Sequence, residues 1–289
     1  MKTIVSFILV IANIQFCVAQ ESYWSEVESV FDKKGAVQDG VYKITFPRSD
    51  LKVKVGDFQA APGLAFTSWV AFIGMESGNM AMMMGDLVLL DTEVKPVISK
   101  IVSSGLEVTA IHNHIVNETP AIKYVHFSGK GEAANLAKAI KSVFEVTGTL
   151  LAASSPQKQA VTPDWSKVEA VLGAGNQTGN LLKYSFPRNE KLTESGMEMP
   201  PSMGMATAIG FQIEGNQAAI TGDFVLLADE VNPVVRELTA NGISVTALHN
   251  HMLYDDPRLF MMHFWAVDDP EKLAKGLKAA LDKTNSKSK

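Results

Sequence analysis

All six histidines of this 289-residue chain fall into two copies of one pattern. Residues 109–127 run Thr-Ala-Ile-His-Asn-His-Ile-Val-Asn-Glu-Thr-Pro-Ala-Ile-Lys-Tyr-Val-His-Phe, and residues 246–264 run Thr-Ala-Leu-His-Asn-His-Met-Leu-Tyr-Asp-Asp-Pro-Arg-Leu-Phe-Met-Met-His-Phe. Each copy gives His-x-His, eleven residues, then His: His112, His114 and His126, and again His249, His251 and His263. Neutral imidazole is the commonest protein ligand for transition metals and suits both zinc and copper. The apolar, β-branched and aromatic runs with turn-formers between them predict a β-hairpin in each copy. On a strand, residues i and i+2 share a face, so each His-x-His pair points one way. Pro120 and Pro257 stand midway between the inner histidines, which predicts His114 opposite His126 and His251 opposite His263, with Cβ atoms about 5 Å apart. The expectation is three converging imidazoles per copy, enough for a metal ion with a fourth position open.

The alternative is a hydrogen-bonded histidine cluster in a core or cleft; the duplication of the whole trio favours metal. The arrangement is similar to the three-histidine site of α-type carbonic anhydrases, where a His-x-His strand and its antiparallel neighbour supply the ligands. The imidazole donors suit zinc; the resemblance is one of local geometry and does not transfer the reaction. Glu118 and Asp255 lie four residues after the second His of each pair. They are candidates for a catalytic general base, a fourth ligand or a partner of one, and equally for solvent-exposed turn residues. Asp86 and Asp223 each follow a Gly inside an apolar run, as bulge residues bonded to backbone or as partners of a histidine ring, the first being favoured. Arg48 and Arg188 at strand ends suit an anionic substrate or, more commonly, a salt bridge. The methionines of 80–84 and 197–205 suit core packing better than copper ligation. Thr109 and Thr246 are expected to stabilise strand backbone. The chain carries no Gly-rich phosphate loop, cysteine nucleophile or serine-nucleophile motif.

The elements that must hold these residues are themselves duplicated. Trp24-Ser25-Glu26-Val27 returns as Trp165-Ser166-Lys167-Val168, Phe46-Pro47-Arg48 as Phe186-Pro187-Arg188, Gly85-Asp86-Leu87-Val88 as Gly222-Asp223-Phe224-Val225, and Glu93-Val94-Lys95-Pro96-Val97 as Glu230-Val231-Asn232-Pro233-Val234. Within a unit the pattern predicts a short helix over 24–33, strands over 41–47, 68–74 and 79–90, and a helix from Asp91 to about Ser104 capped by Asp91 or Thr92. The histidine hairpin follows, then a helix over 132–145; the second unit ends on a helix over 270–283. Hairpins interspersed with helices give an α+β fold in two tandem homologous domains, each an antiparallel sheet covered by helices, with a pseudo-two-fold relation between them a natural expectation. The divisions are a leader at 1–19, a first domain at 20–151, a polar linker at 152–163 and a second domain at 164–289.

Net charge is −5 with no basic patch, which argues against a nucleic-acid partner and leaves a metal ion or small-molecule ligand. Lys2, the apolar run 4–12 and Val18-Ala19 have the order of a cleaved secretory signal. Cys17, the only cysteine, falls inside it, so the mature chain folds without disulfides. The expected location is periplasmic or secreted, with no stable membrane insertion after cleavage. With Gly222-Asp223-Phe224-Val225-Leu226, Thr246-Ala247-Leu248-His249-Asn250-His251-Met252 and Pro257-Arg258-Leu259-Phe260-Met261-Met262-His263-Phe264-Trp265 on the page, the mature chain resembles the LppY/LpqO family of exported bacterial proteins. The family's naming implies lipoproteins among its members, whereas Phe16 before Cys17 does not suit lipid attachment. Ala121-Ile122-Lys123 of the first copy also departs from Arg258-Leu259-Phe260 of the second.

Overall fold

The computed structural model describes residues 24–75, 78–152 and 163–287. The leader expected at 1–19 and most of the linker expected at 152–163 lie outside the described residues. Each half builds a six-stranded antiparallel sheet. In the first, the spatial order is Ala36–Gln38, Val41–Pro47, Thr67–Gly74, Met80–Leu90, Ile122–Glu132, Glu107–His112. In the second it is Asn176–Thr178, Leu181–Pro187, Ala206–Glu214, Gln217–Leu226, Phe260–Asp268, Ser244–His249. The histidine hairpin thus supplies the edge strand and its neighbour in both sheets.

Alternation along the strands explains the layering. On Met80–Leu90, Ala81, Met83, Leu87 and Leu89 turn towards helices Asp91–Ser103 and Ala133–Phe144, joining Val97, Ile101, Leu136, Ile140 and Phe144 in one core. The second half repeats this with Phe224 and Leu226 against Val234, Leu238, Leu273 and Leu277. The even-numbered residues Met82, Met84, Asp86 and Val88 turn to the opposite face, and there the two halves meet.

That seam is tied by an exchange of arms. Residues 50–66, between the strands expected over 41–47 and 68–74, form Val53–Val55 and Phe58–Ala60, and pack Leu64 and Phe66 in a cluster with Leu181 and Ala219 of the second half. Phe58 meets Trp265 edge-on. Reciprocally, Leu192, Met199, Met203 and Met205 pack on Val41, Ala71, Met82 and Met84, so the methionine runs are core as expected, apart from exposed Met80 and partly buried Met197. Gln212 spans the seam, accepting from Ala61 N (2.7 Å) and donating to Gln59 O (2.9 Å).

Helix Asp91–Ser103 differs from expectation at its start. Its cap is Leu90, because the Glu93 carboxylate reaches back to the Leu90 N–H at 2.8 Å. Glu230 does the same for Leu227. Both glutamates also bind a fully buried arginine: Arg48 pairs with Asp50 and Glu93 and donates to Val88 O, and Arg188 pairs with Glu190 and Glu230 and donates to Val225 O. Both arginines are therefore internal braces between strand end and helix start. Neither faces a ligand site.

Candidate metal centre

The hairpins form, but their register is not the one that the proline midpoints predict. His126 stands opposite Ala110, and His112 opposite Tyr124, with a bulge between Val108 and Ala110. The second copy has the same bulge between Val245 and Ala247 and places His263 opposite Ala247. The cause lies in the loop. Glu118–Thr119 is drawn away to pair with Lys54–Val55, and Asp255–Asp256 with Thr193–Glu194, so His114 and His251 lie beyond their strands.

The trios are nevertheless compact, and they coalesce. Three sets of three histidines place ligand atoms within 4.8 Å of one another: His112, His114 and His126; His112, His249 and His263; His126, His249 and His251. Only the first comes from a single half. The tightest contacts between two histidine rings cross the seam: His112 stacks on His249 at 3.6 Å between centroids, His114 on His263 at 3.7 Å, and His126 lies 4.1 Å from His251. Two separate centres become one six-histidine cluster that could hold metal.

The supports of this cluster also run across the seam. Thr109 donates to His251 O at 2.6 Å, and Thr246 donates to His114 O. Asn250 Nδ2 donates to Thr109 O (2.9 Å) and Asn113 Nδ2 to Thr246 O (3.1 Å). The bulges free these threonines from their own ladders. A residue pair expected to serve its own strand therefore positions the other half's histidines.

Nitrogen roles are set by backbone carbonyls. His126 Nδ1 lies 3.2 Å from Gly85 O, and His263 Nδ1 2.7 Å from Gly222 O. A ring that donates there from Nδ1 leaves Nε2 as an acceptor or ligand. Gly222 is required at this close approach, since a Cβ would sit 2.0 Å from Ala208 O. Asp86 and Asp223 stand directly opposite His126 and His263 across the ladder, and their carboxylates lie 3.6 Å from His114 Nε2 and 2.9 Å from His251 Nε2. Of the two roles open to these aspartates, the structure places them beside histidine rings.

Burial favours the neutral form, the form that binds metal, for His112, His114, His126, His249 and His263. His114 and His126 are driven well below the usual histidine value by burial first and by the neighbouring histidines second. His249 is pushed down to about 3 by burial, against the opposing charge of Asp223. Asp86 is pushed up to about 7, chiefly by burial, with His251 opposing and Asp223 adding to the rise. Every one of the six rings keeps at least one buried nitrogen with no hydrogen-bond partner.

Glu118 and Asp255 take other positions. Glu118 accepts from Ile122 N at 3.1 Å, and Asp255 accepts from Leu259 N and pairs with Arg258. Both close the loop between the hairpin strands, and neither lines the cleft beside the histidines. That cleft is about 330 Å³ and is walled by residues that sequence reasoning had not singled out, Lys43, Lys183, Trp69 and Thr45, together with His114, His126, His251, His263, Asp86 and Asp223. A signal was present: Lys43 and Lys183 occupy equivalent positions inside the duplicated apolar strands Val41-Tyr42-Lys43-Ile44 and Leu181-Leu182-Lys183-Tyr184.

A family model described as Domain of Unknown Function (DUF1259) matches residues 25–146 and again residues 166–283. A comparison with curated proteins found no match. Among solved structures, a trimeric bacterial microcompartment shell protein PduB covers 86% of this chain and 89% of its own at 10% identity, with a TM-score of 0.21. EtuB from Clostridium kluyveri covers 86% and 90% at 7% identity and a TM-score of 0.20, and TP0453 covers 86% and 97% at 12% identity and 0.19. Likenesses at this level carry no argument about fold or function.

Proposed function

This chain belongs, through both of its halves, to the family described as Domain of Unknown Function (DUF1259), and we propose that it is an exported metal-binding protein whose ion is shared between the halves. His112, His114, His126, His249, His251 and His263 are its ligand set, with zinc preferred to copper. The observation that carries this reading is the set of orphaned ring nitrogens. A buried polar atom left without a partner costs about 1–3 kcal/mol, and here all six histidines carry such atoms at one place. A hydrogen-bonded structural cluster would pair them with one another or with backbone. A divalent ion satisfies them together, and the imidazole trios with the Asp86 and Asp223 carboxylates beside them are a donor set that suits zinc. Asp86 and Asp223 then hold the rings of His114 and His251 in place.

The cluster opens into a cleft, which favours turnover over storage. Zinc with an open position supplies a Lewis acid and an activated water at neutral pH, and the reaction class is hydrolysis or hydration of a small substrate. Elemental analysis of the exported mature protein, wild type beside His112→Ala and His249→Ala, tests the ligand set. Near-stoichiometric zinc in the wild type, falling by more than half in each variant, is expected. A wild type that neither carries nor takes up metal overturns the reading. Hydrolysis of a model ester that disappears on chelation and in His112→Ala separates an enzyme from a metal-handling protein.

A further inference from the structure

The metal reading leaves unexplained why two lysines face the same cleft as the histidines. Lys43 and Lys183 lie on equivalent strands of the two sheets, both on the seam face. They are near enough for the charge of Lys183 to depress Lys43, whose ammonium burial pushes down to about 8 while Asp86 partly restores it. The Lys183 ammonium has no hydrogen bond, ion pair or aromatic partner among the described residues. Its side chain is exposed by area yet enclosed by a concave wall, as befits a group at the mouth of a cleft. The two-fold repetition breaks here: Lys43 lies 3.8 Å from the centre of the Trp69 ring, but the position equivalent to Trp69 is Ala208, each being opposite its aspartate in the ladder.

The cleft is therefore graded. Thr45, Lys183 and Ala208 are exposed at its mouth, Trp69, Leu64 and Ala65 form apolar walls, and His126, His263 and Asp86 are buried at its floor. Its volume of about 330 Å³ falls at the small end of the roughly 300–1,000 Å³ of small-molecule sites. Asp86 and Asp223 also line the cleft but are turned to His114 and His251 at the floor; the two ammonium groups, one of them unpartnered, favour an anion, because an acid group relieves their repulsion and gains charge-assisted hydrogen bonds. The space over Ala208, where the other half has an indole, leaves room for the rest of the molecule against Trp69.

We propose that this cleft binds a small oxyanion, a carboxylate or phosphate carried on a short apolar body, with Lys43 and Lys183 holding the acid group and Trp69 flanking the body at the approach to the histidine cluster. This deepens the metal reading by naming the class of its substrate, and rests on it only for what happens at the cleft floor.

Binding of inorganic phosphate and of benzoate to the zinc-loaded mature protein, followed by titration calorimetry, tests the site. The variants are Lys183→Met, Lys43→Met and, as a control, Lys191→Met, whose lysine pairs with Glu198 on the surface. Thermal unfolding and zinc content of each sample report integrity of the fold and of the metal centre. The expected result is an affinity at least tenfold weaker in Lys183→Met and Lys43→Met, unchanged in Lys191→Met, with zinc content unaltered. A response confined to phosphate identifies a phosphoryl ligand, and one confined to benzoate a carboxylate; both uphold the proposal. Affinity that is unchanged in both cleft variants, or no binding of either probe at millimolar concentration, overturns it. Lysine-dependent binding to a chain that takes up no zinc would uphold the anion site while the metal reading falls.

Discussion

Replacing the histidines one at a time separates a shared cluster from two independent centres, because the structure predicts an uneven result. His112, His126 and His249 each belong to two of the three metal-competent trios, whereas His114, His251 and His263 each belong to one. Substituting His112 by Ala leaves only His126, His249 and His251 as a complete trio. Substituting His114 leaves two. Metal binding stabilises the folded chain by mass action, by about 4.1 kcal/mol at a free concentration one thousand times Kd. Each kcal/mol is worth roughly 2–4 °C in Tm for chains of about 150–250 residues. A 289-residue chain belongs at the lower end of that range, so zinc should raise the wild-type Tm by about 8–12 °C.

Calorimetric scans with zinc and with chelator then give a shift for each of the six alanine variants. His112→Ala, His126→Ala and His249→Ala should keep less than half of the wild-type shift, and His114→Ala, His251→Ala and His263→Ala should keep more than half. Two independent centres predict instead six equal losses. A flat profile refutes the shared cluster, and the lack of any shift in wild type with zinc, copper or nickel refutes metal binding itself.

Three further outcomes follow from the same contacts. In the metal-free protein, His249 is depressed from 6.5 to about 3, so below 6.5 the unfolded chain takes up a proton that the folded chain refuses until about pH 3. Stability is therefore full above pH 6.5 and falls as pH drops through that window, by up to about 1.4 kcal/mol per pH unit for this ring alone; urea midpoints that are flat from pH 7 to 4 would count against the burial argument. Arg188→Met leaves Glu230 and Glu190 without their cation and Val225 O without a donor, at about 3 kcal/mol, measurable in urea, while zinc content per folded molecule stays unchanged. Thr109→Val removes the donor to His251 O, at a cost of about 1 kcal/mol, and should weaken zinc binding although the residue touches no metal ligand of its own half.

The fold was legible where pattern and covalent order suffice. Strand Val41–Pro47 stands where alternation placed it, and helix Pro270–Leu281 begins at its proline with Asp269 capping Lys272 N. Duplication of the long runs after Gly85 and Gly222 announced two equivalent sheets. What the sequence did not disclose is non-local. The register of the histidine hairpin depends on Glu118–Thr119 pairing with a strand more than sixty residues earlier, and symmetry about Pro120 carries no information on that competitor. The cap at Leu90 was missed for a local reason, since leucine offers no capping side chain and Glu93 performs the task from inside the helix. Asp86 was open between two roles because His114 reaches it only once the hairpin has folded back beside strand Met80–Leu90.

The seam also accounts for the order in which chemistry could be read. Histidine spacing singled out six residues that the structure brings together and grouped them by half, whereas two of the three metal-competent trios draw on both halves; each half taken alone does contain a plausible trio. What converts two trios into one cluster is the direction in which the sheets face. Each sheet buries its odd-numbered residues of Met80–Leu90, or their equivalents, under helices, so the polar face carrying Asp86, His126 and Lys43 has only the other half to meet. The exchanged arms, with Leu64 and Phe66 on one side and Met203 and Met205 on the other, bury apolar surface around that polar centre. Apolar burial at roughly 25 cal/mol per Å² can offset the desolvation of six imidazoles and two carboxylates, provided that those groups are satisfied by one another or by an ion. It follows that a substitution weakening the arms, such as Leu64→Ala, should lower zinc affinity as well as stability, although Leu64 ligates nothing. Equal zinc affinity in that variant, measured on folded protein, would mean that each half holds its metal alone.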